Sequence, residues 1–316
     1  MIKILQGNCI DKIKELDDNS IDCVVSSPPY FGLRDYGVDG QFGLEKTYHD
    51  YLANTVKVFE TFKPKLKDTA TIWWNVGDSY SNHKDCKSIG QTLAKGTIRE
   101  KAHEIEKGKS HTRDSKLLKA SGLKDKDLMM IPNRVAIALQ DAGWYIRSEI
   151  IWHKPNPMPE SVRDRPTSCH EKIWLITKNK KYYYDADAIR EPTTDSYKGK
   201  KGLVKKRNKT QSAMQDRVFN TPYHPSNTKN KRNVWTITTK PFKDAHFATF
   251  PKDLIEPCIK AGCPEGGVVL DPFGGSGTTG IVAALNNRNA ILIELNQNYI
   301  DIANKRIDKE VGLFSG

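Results

Sequence analysis

The sequence predicts an α/β fold built on a doubly wound, mostly parallel sheet with an appended antiparallel hairpin. Five short runs along the 316-residue chain are β-like, and their largely apolar composition is typical of strands covered on both faces. Helical patterns lie between them, and this alternation of strand and helix indicates a parallel sheet flanked by helices. The chain is long enough to bury a sizeable core.

The predicted elements follow one another in a regular order. The strands are the runs IKIL, IDCVVSS, TATIWWNVG, GGVVLD and NAILIEL, which begin at residues 2, 21, 69, 266 and 289. The helices are DYLANTVKVFETFKPKL from residue 50, PNRVAIALQDAG from residue 132 and FPKDLIEPCIKAG from residue 250. YIRSEIIWHK (145–154) and EKIWLITKNKKYYYD (171–185) are predicted to form the antiparallel hairpin.

Two strongly basic stretches, 84–126 and 193–232, interrupt this pattern and are poor in core-forming residues. They leave three core segments, 1–83, 127–192 and 233–316. Solvated loops would explain both stretches. For 193–232 we favour contact with phosphates, because the segment concentrates charge and also carries Tyr223 and His224.

The composition bears on partners and compartment. Lysine and arginine outnumber acids 50 to 38, so the formal charge is +12 and a nucleic acid partner is favoured over a soluble basic protein without one. No apolar stretch has the length of a membrane span, and the N-terminal residues contain no signal peptide, so we expect a cytoplasmic protein without a membrane partner. The six cysteines are scattered, and we expect neither a disulfide framework nor a metal site.

The clearest local signal is VVLDPFGGSGTTGIVAAL (268–285), in which a strand ends in a glycine-rich turn and a helix follows. Gly275, Gly277 and Gly280 match G-x-G-x-x-G, so an NAD-dependent oxidoreductase is one interpretation. A Walker loop is excluded because no lysine follows Gly280. Glu294 ends the next strand, where a carboxylate can accept both hydroxyls of a ribose, and this geometry suits any adenosine-containing cofactor.

The second signal is SSPPYFGLRDYG (26–37), which follows the apolar run IDCVV. Pro28 and Pro29 end the strand, since neither can donate a ladder hydrogen bond. The segment therefore places a hydroxyl, two rigid carbonyls and two aromatic rings at the end of a buried strand.

The two motifs together resemble the S-adenosylmethionine-dependent DNA amino-methyltransferases, and their order along the chain is that of the β class. The resemblance covers most of the chain outside the basic stretches. It implies a Rossmann-like fold, S-adenosylmethionine as cofactor and double-stranded DNA as partner, with a cognate restriction endonuclease as a second candidate partner. Segments 1–83 and 127–192 are then the catalytic core, 233–316 is the cofactor-binding half, and the basic stretches are recognition inserts.

The resemblance also implies which residues bind the cofactor. Its glycine-loop motif and the acidic residue after the next strand fall on Asp271, Pro272, Phe273, Gly274, Gly275, Ser276, Gly277, Thr278, Thr279 and Glu294. HFATFP (246–251) resembles the segment that completes the methionine pocket, through His246 and Thr249; the alternative is a helix start capped by Thr249. Where the family commonly has Gly-Asp, this chain has Gly7-Asn8, and the Asn8 carbonyl oxygen can still accept from an adenine amino group.

The implied catalytic residues are Ser27, Pro28, Pro29 and Tyr30. An exocyclic amine is a poor nucleophile because its lone pair is delocalised, so it needs acceptors that draw its N–H protons away from the ring plane. Ser27 Oγ and the rigid Pro28 carbonyl can supply them. Tyr30 offers a stacking face for a base flipped out of the duplex, and Phe31 is expected to line the same pocket.

The target base is less strongly determined. The family's adenine enzymes mostly carry aspartate at the position of Ser27 and its cytosine-N4 enzymes mostly carry serine, so cytosine N4 is favoured and adenine N6 is the alternative. Carbon methylation would need a thiolate in a Pro-Cys pair. Pro257-Cys258 lies in a predicted helix and is interpreted as structural.

Three further interpretations stay open in the sequence. Asp78 either positions the target nucleotide or caps the next segment. The proline-rich loop 152–171 is expected near DNA, with His153 and His170 as hydrogen-bonded structural residues. An oxidoreductase leaves the SPPY segment and the charge unexplained, whereas a non-enzymatic DNA-binding protein leaves the glycine loop unexplained.

Overall fold

A computed structural model describes residues 1–33, 38, 40–81, 122–193, 228–239 and 250–312. Most of both basic inserts, together with Arg34, His246 and Thr249, lies outside these ranges. The described strands are β1 (Ile2–Gln6), β2 (Ile21–Ser26), β3 (Leu66–Val76), β4 (Tyr145–His153), β5 (His170–Thr177), β6 (Glu191–Pro192), β7 (Thr228–Lys229), β8 (Val234–Thr236), β9 (Val268–Asp271) and β10 (Asn289–Glu294). β6 and β7 form a separate pair, and the others form one sheet.

The main sheet has the order β1-β10-β9-β2-β3-β5-β4-β8. β1, β10, β9, β2 and β3 are parallel, β5 is antiparallel to both β3 and β4, and β8 is parallel to β4. The predicted doubly wound, mostly parallel sheet and its antiparallel hairpin are therefore confirmed. The connection after β2 leads toward β3 and the connection after β9 leads toward β10, so the winding direction reverses between β2 and β9. Ligands of such sheets bind at the carboxyl ends of the strands at this switch point.

The described helices are α1 (Cys9–Lys14), α2 (Tyr48–Phe62), α3 (Ile131–Asp141), α4 (Lys252–Gly262), α5 (Thr278–Leu285) and α6 (Gln297–Glu310). α1, α2 and α3 pack on one face of the sheet, and α4 and α5 pack on the other. None of the described helices has the length and apolar character needed to cross a bilayer.

Helix α2 shows how the sequence determines one of these layers. Thr47 and Asp50 form a capping box at its N-terminus, which satisfies backbone N–H groups that a helix start leaves without partners. Its buried face carries Phe59 and Phe62, which pack edge-on against Trp144, while Phe59 also contacts Trp74 of β3. Helix α2 therefore packs directly against β3 close to the carboxyl end of that strand.

The predicted strands and helices are confirmed, and α1, α6, β6, β7 and β8 are additional to them. α4 begins after Pro251, which serves as its N-cap without a side-chain hydrogen bond, and Thr249, the predicted alternative cap, lies outside the described residues. The two halves assigned to catalysis and cofactor binding are not separate layers, because β2 pairs directly with β9. This pairing brings the SPPY segment beside the glycine loop.

Candidate active site

The SPPY segment leaves the carboxyl end of β2 and is held by the loop and helix that follow it. Ser27 is partly exposed and Pro28 is buried. The Tyr51 hydroxyl of α2 donates to the Pro29 carbonyl at 3.2 Å. Within the described residues no donor reaches the Pro28 carbonyl, and its role as an acceptor for the target amine stays a prediction.

Tyr30 is packed against the chain just after β3. A Cβ atom at Gly77 would lie 2.5 Å from Tyr30 Cε2, so only glycine allows the ring to approach this closely. Stacking of a base on Tyr30 stays a prediction. The expectation for Phe31 is wrong: its side chain is 2% exposed and packs against Tyr51 in the core, because the chain turns inward after Tyr30.

Ser27 and Tyr30 belong to a polar network with Asn75 of β3 and Glu171 of β5. Ser27 Oγ lies 3.2 Å from Tyr30 Oη, and the Tyr30 hydroxyl donates to Glu171 Oε2 at 2.7 Å. Asn75 Nδ2 lies within 2.8 to 3.2 Å of Tyr30 Oη, Glu171 Oε2 and Ser27 Oγ. Lys154 Nζ forms an ion pair with Glu171 Oε1.

The electrostatics of this network keep Tyr30 protonated. Burial, and then the neighbouring Glu171 carboxylate, raise the pKa of the Tyr30 hydroxyl well above its usual value. The phenol is therefore a hydrogen-bond donor at neutral pH. Asn75 is 4% exposed, and its Oδ1 has no hydrogen-bond partner among the described residues.

Asp271 joins the SPPY segment to the glycine loop. Its Oδ1 accepts from the Ser26 hydroxyl at 2.6 Å and from the Phe273 N–H at 3.1 Å, and its Oδ2 accepts from the Thr279 hydroxyl at 2.6 Å. The residue is 1% exposed, and burial raises the pKa of its carboxyl to about 6. All these contacts are internal, so Asp271 organises the loop rather than facing an open site.

Glu294 lies at the end of β10 and faces the same loop. Its Oε2 accepts from the Gly275 N–H and its Oε1 from the Asn296 N–H, both at 2.8 Å. Burial raises the pKa of this carboxyl. Each carboxylate oxygen still has acceptor capacity, and the side chain is partly exposed, so it fits the predicted role of holding ribose hydroxyls.

The remaining residues predicted to bind the cofactor fall into a partly exposed group and a buried group. Phe273, Gly275 and Asn8 are partly exposed, and the Asn8 Oδ1 already accepts from the Ile10 N–H as the cap of α1. The other described members of the predicted set are buried: Pro272, Gly274, Ser276, Gly277, Thr278 and Thr279.

The buried hydroxyl residues of the loop are held from behind by α6. Arg306 Nη1 donates to the Ser276 carbonyl, the Ser276 hydroxyl and the Thr278 hydroxyl at 2.6 to 3.0 Å. Any contact of these two residues with a cofactor would therefore come from their backbone groups. Gly275 and Gly277 have φ of 51° and 80°, a conformation that favours glycine.

These observations support an adenosine-containing ligand at the glycine loop. The turn brings backbone close to the crevice without side chains in the way, and Glu294 stands beside it with unused acceptor capacity. His246 and Thr249, predicted to complete the methionine pocket, lie outside the described residues.

The role of Asp78 is clarified by its contacts. Its Oδ1 accepts from the Ile131 N–H at 3.2 Å and from the Ser79 N–H at 2.8 Å, while burial raises the pKa of its carboxyl. Ile131 is the first residue of α3, whose N-cap Met130 has φ 57° and makes no side-chain cap. These contacts support the capping interpretation.

The contacts of Cys258 and His153 agree with their interpretation as structural residues, whereas His170 is exposed and its ring has no hydrogen bond among the described residues. Cys258 and Cys263 are buried, with 1% and 0% exposed, and burial raises the pKa of the Cys258 thiol, so it is not a thiolate nucleophile. His153 Nδ1 is hydrogen-bonded to the Thr236 hydroxyl at 3.1 Å. Among the described residues no group of His, Cys, Asp and Glu could hold a metal ion.

Sequence reasoning missed Asn75, Glu171, Lys154, Tyr51 and Gly77. Asn75 carried a signal, because it is an amide in the middle of an otherwise apolar buried strand. Glu171 carried none, since its position opposite the end of β3 follows from the antiparallel register of β3 and β5.

Comparison with known proteins agrees with this geometry. A family profile described as DNA methylase, of the N6 and N4 methyltransferases, matches residues 21–305. The chain is 42% identical over 305 residues to Type II methyltransferase M.SmaI of Serratia marcescens, with 96% of this chain and 90% of the relative covered. It is 41% identical to Type II methyltransferase M.Cfr9I of Citrobacter freundii, with 97% and 88% covered.

Two solved structures have the same fold. PvuII DNA methyltransferase, which is cytosine-N4-specific, superposes with a TM-score of 0.62 at 18% identity and covers 96% of this chain and 86% of its own. A DNA modification methylase of Thermus thermophilus, TTHA0409, solved in complex with S-adenosyl-L-methionine, superposes with a TM-score of 0.57 at 21% identity and covers 98% and 96%. At these identities the structures bear on the fold alone.

Proposed function

The chain belongs to the DNA methylase family of N6 and N4 methyltransferases and is a DNA methyltransferase, and from this premise we propose that it methylates the N4 amine of cytosine in double-stranded DNA. The observation that carries the proposal is the hydrogen bond from Ser26 to Asp271 at 2.6 Å. It fixes Ser27, the next residue, beside the glycine loop, so an amine acceptor and a cofactor crevice share one strand edge.

The proposed role of the SPPY segment is to prepare the amine. Ser27 Oγ and the Pro28 carbonyl accept its two N–H groups and favour a pyramidal nitrogen whose lone pair points at the electrophile. The Pro29 carbonyl, engaged by Tyr51, fixes the backbone around them. Such preorganised acceptors lower a barrier because they need no rearrangement as charge develops on the nitrogen.

S-adenosylmethionine, when bound, supplies the electrophilic sulfonium methyl group. Glu294 is proposed to hold the ribose, and Gly275 to bring its backbone against the ligand. Asn8 is proposed to contact the adenine with the acceptor capacity that its capping bond leaves unused. Asp271, Ser276, Thr278 and Thr279 keep the loop in shape.

Cytosine N4 is preferred to adenine N6 because Ser27 is a neutral acceptor. The Asn75 side chain that contacts it is neutral too, and the Glu171 carboxylate is hydrogen-bonded to Tyr30 and Asn75 rather than to Ser27. The relatives, at 41% to 42% sequence identity, support the class of DNA methyltransferases without fixing the base. Adenine N6 is the alternative target.

DNA recognition is proposed to involve the basic inserts 84–126 and 193–232, which contribute strongly to the excess of positive charge. A cognate restriction endonuclease is proposed as a functional partner, because the relatives bear the name Type II methyltransferase. DNA modified by this protein should then resist cleavage by that endonuclease.

The proposal is tested by treating DNA of varied sequence with the protein and isotopically labelled S-adenosylmethionine, followed by mass spectrometry of the nucleosides. Label in N4-methylcytosine is the expected result, and Ser27→Ala should abolish it while leaving the folded protein able to bind DNA. Label in N6-methyladenine would replace the proposed base with the alternative. Absence of label in any base would overturn the proposed function.

A further inference from the structure

Glu171 lies at the start of β5, and its two carboxylate oxygens have different partners. Lys154 pairs with Oε1, and both side chains are largely buried, with 19% and 16% exposed for Lys154 and Glu171. Oε2 accepts from the Tyr30 hydroxyl at 2.7 Å and from Asn75 Nδ2 at 3.0 Å. Oε1 thus faces the Lys154 ammonium group, and Oε2 faces the side chains of Tyr30 and Asn75 that contact Ser27.

An ionised carboxylate only accepts hydrogen bonds, so Oε2 determines the direction of its neighbours. The single hydrogen of the Tyr30 hydroxyl must point toward Glu171. The Asn75 amide must present its NH₂ group, since its carbonyl oxygen would be repelled at that distance. The carboxylate therefore fixes the direction of the Tyr30 hydroxyl hydrogen and the orientation of the Asn75 amide group, neither of which is determined by the positions of the heavy atoms alone.

The consequence reaches Ser27 through Tyr30. Ser27 Oγ and Tyr30 Oη are 3.2 Å apart, and the tyrosine hydrogen is already committed to Glu171. The contact is a hydrogen bond only if Ser27 donates to Tyr30. The Ser27 hydrogen then points into the protein. The two hydrogens of Asn75 Nδ2 are shared among Tyr30 Oη at 2.8 Å, Glu171 Oε2 at 3.0 Å and Ser27 Oγ at 3.2 Å, and even when one of them is directed at Ser27, a second lone pair of Ser27 Oγ stays available to a ligand.

We infer that Glu171 is a positioning residue that holds Ser27 Oγ as an acceptor facing the target amine. The inference rests on the proposed function and deepens it, because it makes the hydrogen-bond polarity of Ser27 a determinant of substrate. A base that presents an amine is favoured at this position, and a base that presents a carbonyl oxygen is disfavoured.

Glu171→Gln tests the inference because it preserves shape and changes polarity. Glutamine has one oxygen, and a bond to the Lys154 ammonium is stronger than a bond to a neutral hydroxyl. The oxygen should therefore turn to Lys154 and the NH₂ group to Tyr30. The Tyr30 hydrogen is then released toward Ser27, whose own hydrogen becomes free to face the base.

The first readout is binding and needs no methyl transfer. Dissociation constants are measured for duplexes with cytosine or uracil at the target position, in wild type and in Glu171→Gln. Uracil offers an oxygen where cytosine offers an amine, and the other differences between the bases cancel when the two proteins are compared. The preference for cytosine should fall about tenfold in the variant, which is the scale of one hydrogen bond.

The second readout is the single-turnover rate of methyl transfer, which should also fall about tenfold or more while the affinity for S-adenosylmethionine stays within a factor of about two. Lys154→Met combined with Glu171→Gln should restore part of both effects, because the glutamine oxygen is then free to return to Tyr30. A purely structural role of Glu171 predicts no such rescue.

Glu149→Gln is the matched control. Glu149 pairs with Lys172 at 2.5 Å in the same hairpin, and none of its recorded contacts involves Ser27, Tyr30 or Asn75. The Glu149→Gln variant should have the same preference for cytosine over uracil and the same single-turnover rate as wild type.

The outcomes separate the inference from the proposed function. A wild-type protein that transfers no methyl group to DNA contradicts the proposed function. A wild-type protein that is active, with a Glu171→Gln variant of unchanged base preference and rate, overturns the inference alone. Loss of thermal stability or of cofactor affinity without a shift in the cytosine-to-uracil ratio also overturns it, since Glu171 would then be structural.

Discussion

Among single residues, Asp271 has a carboxyl group that is buried away from water, and its ionisation therefore lowers the stability of the fold. Its carboxyl is 1% exposed and its pKa is raised to about 6 by burial, against an ordinary value of 3.8. Between these two pH values the folded protein binds more protons than the unfolded chain, so this group lowers stability as the pH rises. The difference corresponds to roughly 3 kcal/mol of unfolding free energy, lost by about pH 7.

Asp271→Asn should remove this pH dependence. The free energy of unfolding of wild type minus that of the variant should fall by roughly 2.4 kcal/mol between pH 4 and pH 7. Denaturant titrations at a series of pH values measure it, and the subtraction cancels the titration of all other groups. A difference that stays constant across this range would show that Asp271 is not a titrating buried carboxyl.

Gly77 is a second residue on which the site depends, because its lack of a side chain leaves room for the Tyr30 ring. Its Cβ position lies 2.5 Å from the Tyr30 ring, so Gly77→Ala should displace the ring and break its hydroxyl contact with Glu171. We expect a loss of methyl transfer of about tenfold or more, with cofactor affinity unchanged. Gly312→Ala is the control, since a Cβ atom there meets no atom of the described residues within 4 Å. Equal activity of the two variants would show that the Tyr30 ring tolerates displacement.

At the level of elements, the start of α3 depends on a side chain from another segment. Met130, its N-cap, has φ 57° and supplies no cap, and Asp78 at the end of β3 accepts the Ile131 N–H instead. Asp78→Ala should lower the unfolding free energy by about 1 kcal/mol, the usual cost of a lost cap. Asp78→Asn keeps the acceptor oxygen and should cost much less, as measured by chemical denaturation.

The same pair of variants decides the role of Asp78 in catalysis. If Asp78 only caps α3, then Asp78→Asn should retain the wild-type KM for DNA and the wild-type kcat. A large rise in KM or a large fall in kcat, with wild-type stability, would instead show that the carboxylate contacts the target nucleotide.

The elements also show why sequence analysis reached only part of the site. The SPPY and glycine segments each lie in one continuous run after a strand, so local chemistry predicts them, and the parallel arrangement of β2 and β9 follows from the alternation of strands and helices. Glu171 meets Asn75 only through the antiparallel register between β3 and β5, which periodicity does not specify. Phe31 was predicted in the pocket because sequence gives no sign of the inward turn after Tyr30.

For the whole molecule, the formal charge of +12 favours association with DNA, and the two basic inserts are proposed to contact it. Residues 82–121 and 194–227 lie outside the described part of the chain, so the proposal that 193–232 contacts phosphates rests on its sequence. Each phosphate contact that is lost should lower the slope of log K against log salt by about 0.9. This dependence distinguishes an insert that contacts DNA from one that only contributes to the overall field.

Two matched triple variants compare the inserts directly. The variant in 193–232 replaces with glutamine Lys205, Lys206 and Arg207, and the variant in 84–126 replaces Lys101, Lys107 and Lys109. Both lower the net charge equally, so an effect of the overall field is the same in each. We expect the first variant to lower the salt slope by up to about 3 and the second to lower it less, with cofactor affinity unchanged in both. Equal slopes would contradict the assignment of 193–232 as the recognition insert, and a larger effect of the second variant would transfer that role to 84–126.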